Sequence, residues 1–181
     1  MLVLHEGQIP YNPKNKSYKI VLLNDKKDIV YLDEIFNKGI KLLKYNKDSL
    51  RFIRKYIDPR EVYNFLYNVI IQAYKDYALI VVFDNETNEL LGVSLVSKGR
   101  PWYAPKSLLV YNEEFTVSFK KGVGLARILS FIFENVLAKE NKDCKLIMFS
   151  NANLPNKKML ENTYEKRLNY SSYKTFYKEV N

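Results

Sequence analysis

The chain has 181 residues, 47% hydrophobic and 27% charged, the balance of one globular domain built on a single sizeable core. No apolar run approaches the roughly 20 residues that span a bilayer, and Cys144 is the only cysteine, so an internal disulfide is excluded. His5 is the only histidine, so neither a zinc site nor a Ser-His-Asp triad is expected; acid–base chemistry falls to Glu, Asp, Tyr or water. The net charge of +9 permits acidic partners, including nucleic acid, but Lys and Arg are spread along the whole chain, which reads equally as general solubility. A lone thiol and an N-terminal stretch without a basic n-region or cleavage site point to the cytoplasm. The bias towards Lys, Asn, Ile and Tyr fits an AT-rich genome, bacterial or viral.

SYKIVLL (17–23) alternates into an apolar run and predicts a strand. DIVYLDEIFNKGIKLL (28–43) spaces Ile29, Leu32, Ile35, Phe36 and Ile40 by three and four, predicting a helix. Asp48 is placed to cap a short helix holding Leu50, Phe52, Ile53 and Ile57. DPRE (58–61) is a strong start signal, with Asp58 at the N-cap, Pro59 at the first helical position and Glu61 at the third. The helix it opens is predicted to run to about Lys75, with Val62, Phe65, Leu66, Val69 and Ile70 on one side.

The period then changes. YALIVVFD (77–84) is continuous and β-branched, DNETNE is a turn, and LLGVSLVSK (90–98) completes a hairpin. GRPWYAPK (99–106) reads as a loop and SLLVYNEEFTVSF (107–119) as a long strand. KKGVG leads into a helix over 125–140, in which Leu125, Leu129, Ile132 and Val136 share a face. CKLIMFS (144–150) predicts a buried strand, with Cys144 in its core rather than acting as a nucleophile. A helix over 153–168 and a closing strand pair within 170–180 follow. The order defines an α/β (α+β) chain in one domain, 1–181, with a mostly antiparallel sheet. The strand–helix–strand segment around the glycines supplies the parallel pairing.

The glycine loop lies directly after a strand and before a helix. The first amides of a helix have no partner within it, and the macrodipole is positive there. Glycines let the backbone approach a bulky anion and adopt positive φ, and Lys120 and Lys121 add positive charge. Neither the Walker A pattern nor the Rossmann G-x-G-x-x-G is present, since Arg127 stands three residues after Gly124.

Lys121-Gly-Val-Gly-Leu-Ala126 resembles the acetyl-CoA-binding motif of the GNAT family of N-acetyltransferases, Q/R-x-x-G-x-G/A, with Lys121 in the Arg/Gln place and Ala126 in the last. The element order is similar to that fold across nearly the whole chain. Asn156…Tyr164-Glu-Lys…Leu168-Asn-Tyr170 is similar to the family's C-terminal pattern, with Asn169 in place of its glycine. Pro-Trp loops like 99–106 occur in phage-encoded members.

The resemblance implies strands splayed at a cofactor site and acetyl-CoA as cofactor. Its pyrophosphate would be held by the loop residues Lys121, Gly122, Val123, Gly124, Leu125, Ala126 and Arg127. Its pantetheine arm would pair with the backbone of Phe115, Thr116 and Val117, and Asn151 and Asn156 would complete the cofactor site. Glu113 and Glu114 are candidate bases for the amine, strand alternation pointing one of them inward; both also read as ordinary surface charges. Tyr164 matches the tyrosine that protonates the leaving sulfur, and it also reads as a packing residue, one of fifteen tyrosines. Trp102 and Tyr103 are candidate walls of an acceptor pocket, or a hydrophobic latch for their loop.

The expected activity is acetyl transfer from acetyl-CoA to a primary amine of a protein or small molecule, by a monomer or homodimer. A catalytically weak regulatory or host-interaction protein on the same scaffold is the alternative. A basic nucleic-acid-binding module is permitted but not favoured, because no recognised module is present.

Overall fold

The computed structural model describes residues 1–10, 16–45, 58–99, 109–137, 139 and 144–148. Among these residues six strands form one sheet in sequential order: β1 (Leu2–Gln8), β2 (Ser17–Leu23), β3 (Tyr77–Asp84), β4 (Leu90–Gly99), β5 (Leu109–Ser118) and β6 (Cys144–Met148). The first five pair antiparallel, and β6 lies parallel to β5 after a helical crossover. The helices are α1 (Leu32–Tyr45), α2 (Pro59–Ile70) and α3 (Leu125–Ile132).

The sheet carries apolar side chains on both faces, which gives three layers. On one face Leu32 and Ile35 of α1 and Leu66, Val69 and Ile70 of α2 pack on Val21, Leu23, Leu79, Val81, Val93 and Leu95. On the other, Leu125, Ile128, Leu129 and Ile132 of α3 pack on Tyr18, Ile20, Ile80, Val82 and Val96. Each such fully buried aliphatic side chain contributes about 1.5–3 kcal/mol of transfer free energy. This double-sided burial explains why YALIVVFD is a continuous apolar run rather than an alternating one.

Local signals set most boundaries. Asp58 caps α2, its carboxylate accepting from the Arg60 amide at 2.8 Å, with Pro59 in the first turn. The β3–β4 turn is tied by Asp84, whose carboxylate accepts from the amides of Glu86 (3.0 Å) and Thr87 (3.1 Å). The Thr87 bond foremost, aided by the Glu86 bond and the charge of Lys16, holds the Asp84 carboxyl below the usual range despite its burial.

Four boundaries differ from the sequence reading. LVLHEGQ forms an edge strand that the pattern conceals: a bulge at Leu4 and a positive φ at Gly7 break its alternation. His5 on this strand is half-buried, its ring 5.0 Å from that of Phe131 on the α3 layer. The helix expected from residue 28 begins as a tighter 3₁₀ segment, Lys26–Tyr31, opened by an Asp25–Asp28 capping box.

The helix expected to reach Lys75 stops at Ile70. The Ala73 amide bonds back to Asn68 O (2.8 Å) and the Gln72 amide to Val69 O (3.1 Å), a Schellman ending in which Gln72 takes φ 62 where glycine is usual. The α3 helix turns π-helical at Phe133–Leu137 instead of continuing regularly to residue 140. The capping Asp48 with its short helix, the 153–168 helix and the 170–180 strand pair lie outside the described residues.

Gly92 on β4 is a close-approach position. A Cβ there would meet a Leu125 methyl at 2.7 Å and Val117 O at 2.9 Å. Gly92→Ala is expected to push α3 off the sheet and cost about 1–3 kcal/mol, read as a lowered urea midpoint at unchanged slope. An unchanged midpoint would show that Leu125 swings aside freely.

Candidate functional site

One irregularity marks β5. Across β4, Leu95 opposes Phe115 and its neighbour Val96 opposes Glu113, so Glu114 is an extra residue, a β-bulge. The bulge inverts the strand's faces: Tyr111 packs in the α3 layer, whereas Phe115 and Val117 pack in the α1/α2 layer. It also separates the two glutamates. Glu113 is buried at 8% exposure, opposite Val96, while Glu114 is exposed and its carboxylate accepts from the Ser97 hydroxyl. The bulge is braced from β4. Fully buried Ser94 donates to Phe115 O (3.4 Å) and accepts from the Thr116 hydroxyl (2.9 Å).

On its other side β5 pairs parallel with β6 from Leu109 opposite Cys144 to Asn112 opposite Met148, the last described residue of β6.

Beyond β5 the loop is anchored before it reaches the glycines. The Phe119 amide bonds Leu91 O at 2.8 Å, the Ser118 hydroxyl bonds Lys120 O at 2.8 Å, and Lys38 of α1 lies 5.7 Å from the Phe119 ring centre. Gly122 (φ 76) and Gly124 (φ 74) both take left-handed backbone, which explains glycine at both positions. A Cβ at either would meet nothing within 4 Å, so conformation and not crowding selects glycine.

Gly124 is the N-cap of α3 and has no side chain to cap with. The amides of Arg127 and Ile128 bond Gly124 O at 2.9 and 3.3 Å. Those of Leu125 and Ala126 have no hydrogen-bond partner among the described residues. Leu125 is buried beneath the loop, Ala126 and Arg127 are half-buried, and Lys121 is exposed at the loop tip. The result is an open, positively polarised helix end directly after β5 and its loop.

One charge assignment changes. Lys120 does not serve the loop: its ammonium is 2.5 Å from the Glu89 carboxylate, which raises the Lys120 pKa through that hydrogen bond and its charge. Free positive charge at the loop tip therefore rests on Lys121. Sequence reasoning missed Ser94, Ser97 and Tyr18, whose hydroxyl reaches Val123 O at 3.4 Å; each lies on a strand distant in sequence, with no local pattern to mark it. The structure brings Glu113, Glu114, Phe115, Thr116 and Val117 together with the loop from Lys121 to Arg127 on one strand–loop–helix unit. Trp102, Tyr103, Asn151, Asn156 and Tyr164 lie outside the described residues.

An antiparallel sheet flanked by helices, with a bulged strand leading into a glycine-started helix, is a fold like that of GNAT acetyltransferases of known structure. No protein-family model and no curated protein matches the sequence. Among solved structures, the chain is similar to a GNAT family acetyltransferase of Staphylococcus aureus (17% identity, TM-score 0.55, 90% of this chain and 98% of that one). It is similar to a predicted acetyltransferase of Clostridium acetobutylicum solved with acetyl-CoA (17%, 0.55, 91% and 94%). It is also similar to a ribosomal-protein-alanine N-acetyltransferase of Brucella melitensis (12%, 0.57, 91% and 99%). What these likenesses share with this chain is the fold.

Proposed function

We propose that this protein is an acetyl-CoA-dependent N-acetyltransferase acting on a primary amine. One conjunction carries the reading: the bulge at Glu114, the left-handed Gly122 and Gly124 and the uncapped start of α3 lie along a single strand–loop–helix unit. The motif resemblance and the acetyl-CoA held by the Clostridium acetobutylicum neighbour support the choice of ligand.

In this reading the amides from Gly122 to Ala126, with Lys121, bind the pyrophosphate, Arg127 stands beside them in the first turn of α3 with its own amide bonded to Gly124 O, and the backbone of Phe115, Thr116 and Val117 takes the pantetheine arm. Asn151 and Asn156 contribute to the cofactor site, and Trp102 and Tyr103 wall the acceptor side. The amine nitrogen attacks the thioester carbonyl carbon; a C–N bond forms, the C–S bond breaks, and the nitrogen gives up a proton. Glu114 is the proposed acceptor of that proton, because it is the glutamate open to an amine arriving from solvent. Buried Glu113 is the second candidate. Tyr164 is the proposed donor to the departing thiolate, its phenol having an unperturbed pKa of about 10.

The acceptor is an amine of a protein or small molecule. The Brucella neighbour is an N-acetyltransferase of a ribosomal protein's alanine and another neighbour an aminoglycoside acetyltransferase, so both kinds of amine belong among the acceptors tried. A cytoplasmic protein of bacterial or phage source, monomeric or homodimeric, fits the composition.

Thiol release from acetyl-CoA, followed over a panel of amines, peptides and ribosomal proteins, tests the assignment. Acceptor-dependent release is expected; stable binding of acetyl-CoA without release on any acceptor would favour the regulatory alternative. Tyr164→Phe is expected to slow turnover about 10-fold or more with little change in acetyl-CoA affinity. Unchanged turnover would remove Tyr164 from the mechanism.

A further inference from the structure

We infer that Tyr18 of β2 is a positioning residue for the phosphate-binding loop, setting the direction of the peptide between Val123 and Gly124; this rests on the N-acetyltransferase reading above. The Tyr18 side chain is 1% exposed within the α3-side core, 105 residues away in sequence from the loop it touches. Its hydroxyl donates to Val123 O at 3.4 Å.

No peptide bond among the described residues is cis, so the Val123 carbonyl and the Gly124 N–H, which belong to one planar trans unit, point in opposite directions. A carbonyl turned in towards Tyr18 therefore turns the Gly124 N–H out towards the helix mouth. There it joins the Leu125 and Ala126 amides, which have no hydrogen-bond partner among the described residues. Three consecutive amides on one side form an anion-binding concavity.

Nothing within the loop fixes that peptide. It lies between Gly122 and Gly124, and Gly124, at φ 74, tolerates the backbone on either side of a peptide flip. A flip would aim a carbonyl oxygen at the anion. The half-buried Val123 side chain packs on the same core, so Tyr18 and Val123 hold the loop from below while its outer face stays open.

The test compares two ligands on wild-type protein and on Tyr18→Phe, by titration calorimetry: CoA, which carries the pyrophosphate, and pantetheine, which lacks it. Tyr18→Phe keeps the buried ring and removes the hydroxyl. It is expected to bind CoA about three- to tenfold more weakly, the factor one hydrogen bond sets, while pantetheine binding is unchanged. KM for acetyl-CoA should rise by a similar factor at near-constant kcat. Equal weakening of both ligands, or a lowered melting temperature with CoA affinity intact, would make Tyr18 a packing residue and overturn the inference. Wild-type protein that binds CoA no better than pantetheine would instead remove the pyrophosphate site itself, and this inference with it.

Discussion

Gly124→Glu is expected to abolish the stabilisation of this protein by acetyl-CoA while the protein still folds. The position is left-handed at φ 74, so a side chain there costs about 1–2 kcal/mol of backbone strain. An ideal Cβ meets nothing within 4 Å, so no clash adds to that cost. The functional effect is larger. Relaxation of the strained N-cap turns the Gly124 amide away from the helix mouth, and a carboxylate enters the volume meant for a pyrophosphate. For wild type, saturation at 100 times Kd stabilises the fold by about 2.7 kcal/mol through mass action. The variant should show no shift in melting temperature at the same concentration and a normal melt without ligand. A retained shift would place the anion elsewhere. Gly124→Ala, carrying the strain without the charge, separates the two causes and should retain part of the binding.

Glu114→Gln is expected to lower kcat by about 100-fold or more while leaving fold and cofactor affinity intact. Glutamine keeps the volume, and its carbonyl oxygen still accepts from Ser97, so the bulge loses little; only the ability to take a proton is removed. The deficit should shrink as pH rises towards the amine's own pKa, about 10.4 for a lysine, because the acceptor then arrives neutral. Glu113→Gln, on the buried side of the same bulge, is expected to change stability more than rate. A reversal, with Glu113→Gln slow and Glu114→Gln normal, would assign the base to Glu113. Normal rates in both would leave proton removal to water.

Much of the architecture was legible in the sequence because it is written in short-range signals. DPRE starts α2 at the expected residue, and the continuous run 77–84 is the strand buried on both faces. The glycine loop was legible because left-handed backbone and a helix start both call for glycine at Gly122 and Gly124. The illegible features all depend on partners far away in the chain. The bulge at Glu114 exists only relative to β4, and from the sequence Glu113 and Glu114 are interchangeable. Lys120 looked like a loop cation until the β3–β4 hairpin placed Glu89 against it. The α2 ending uses Gln72 where a sequence reader looks for glycine, and β1 hides behind a bulge at an exposed edge.

The proposed acetyl-CoA site joins the β5 backbone beside the bulge to the start of α3. Its most direct test is calorimetric titration of the wild-type protein with acetyl-CoA, with pantetheine and inorganic pyrophosphate as partial ligands. One acetyl-CoA per chain is expected, bound more tightly than either fragment, with both fragments competing for it. Absence of acetyl-CoA binding at millimolar concentration, or binding that neither fragment displaces, would contradict it.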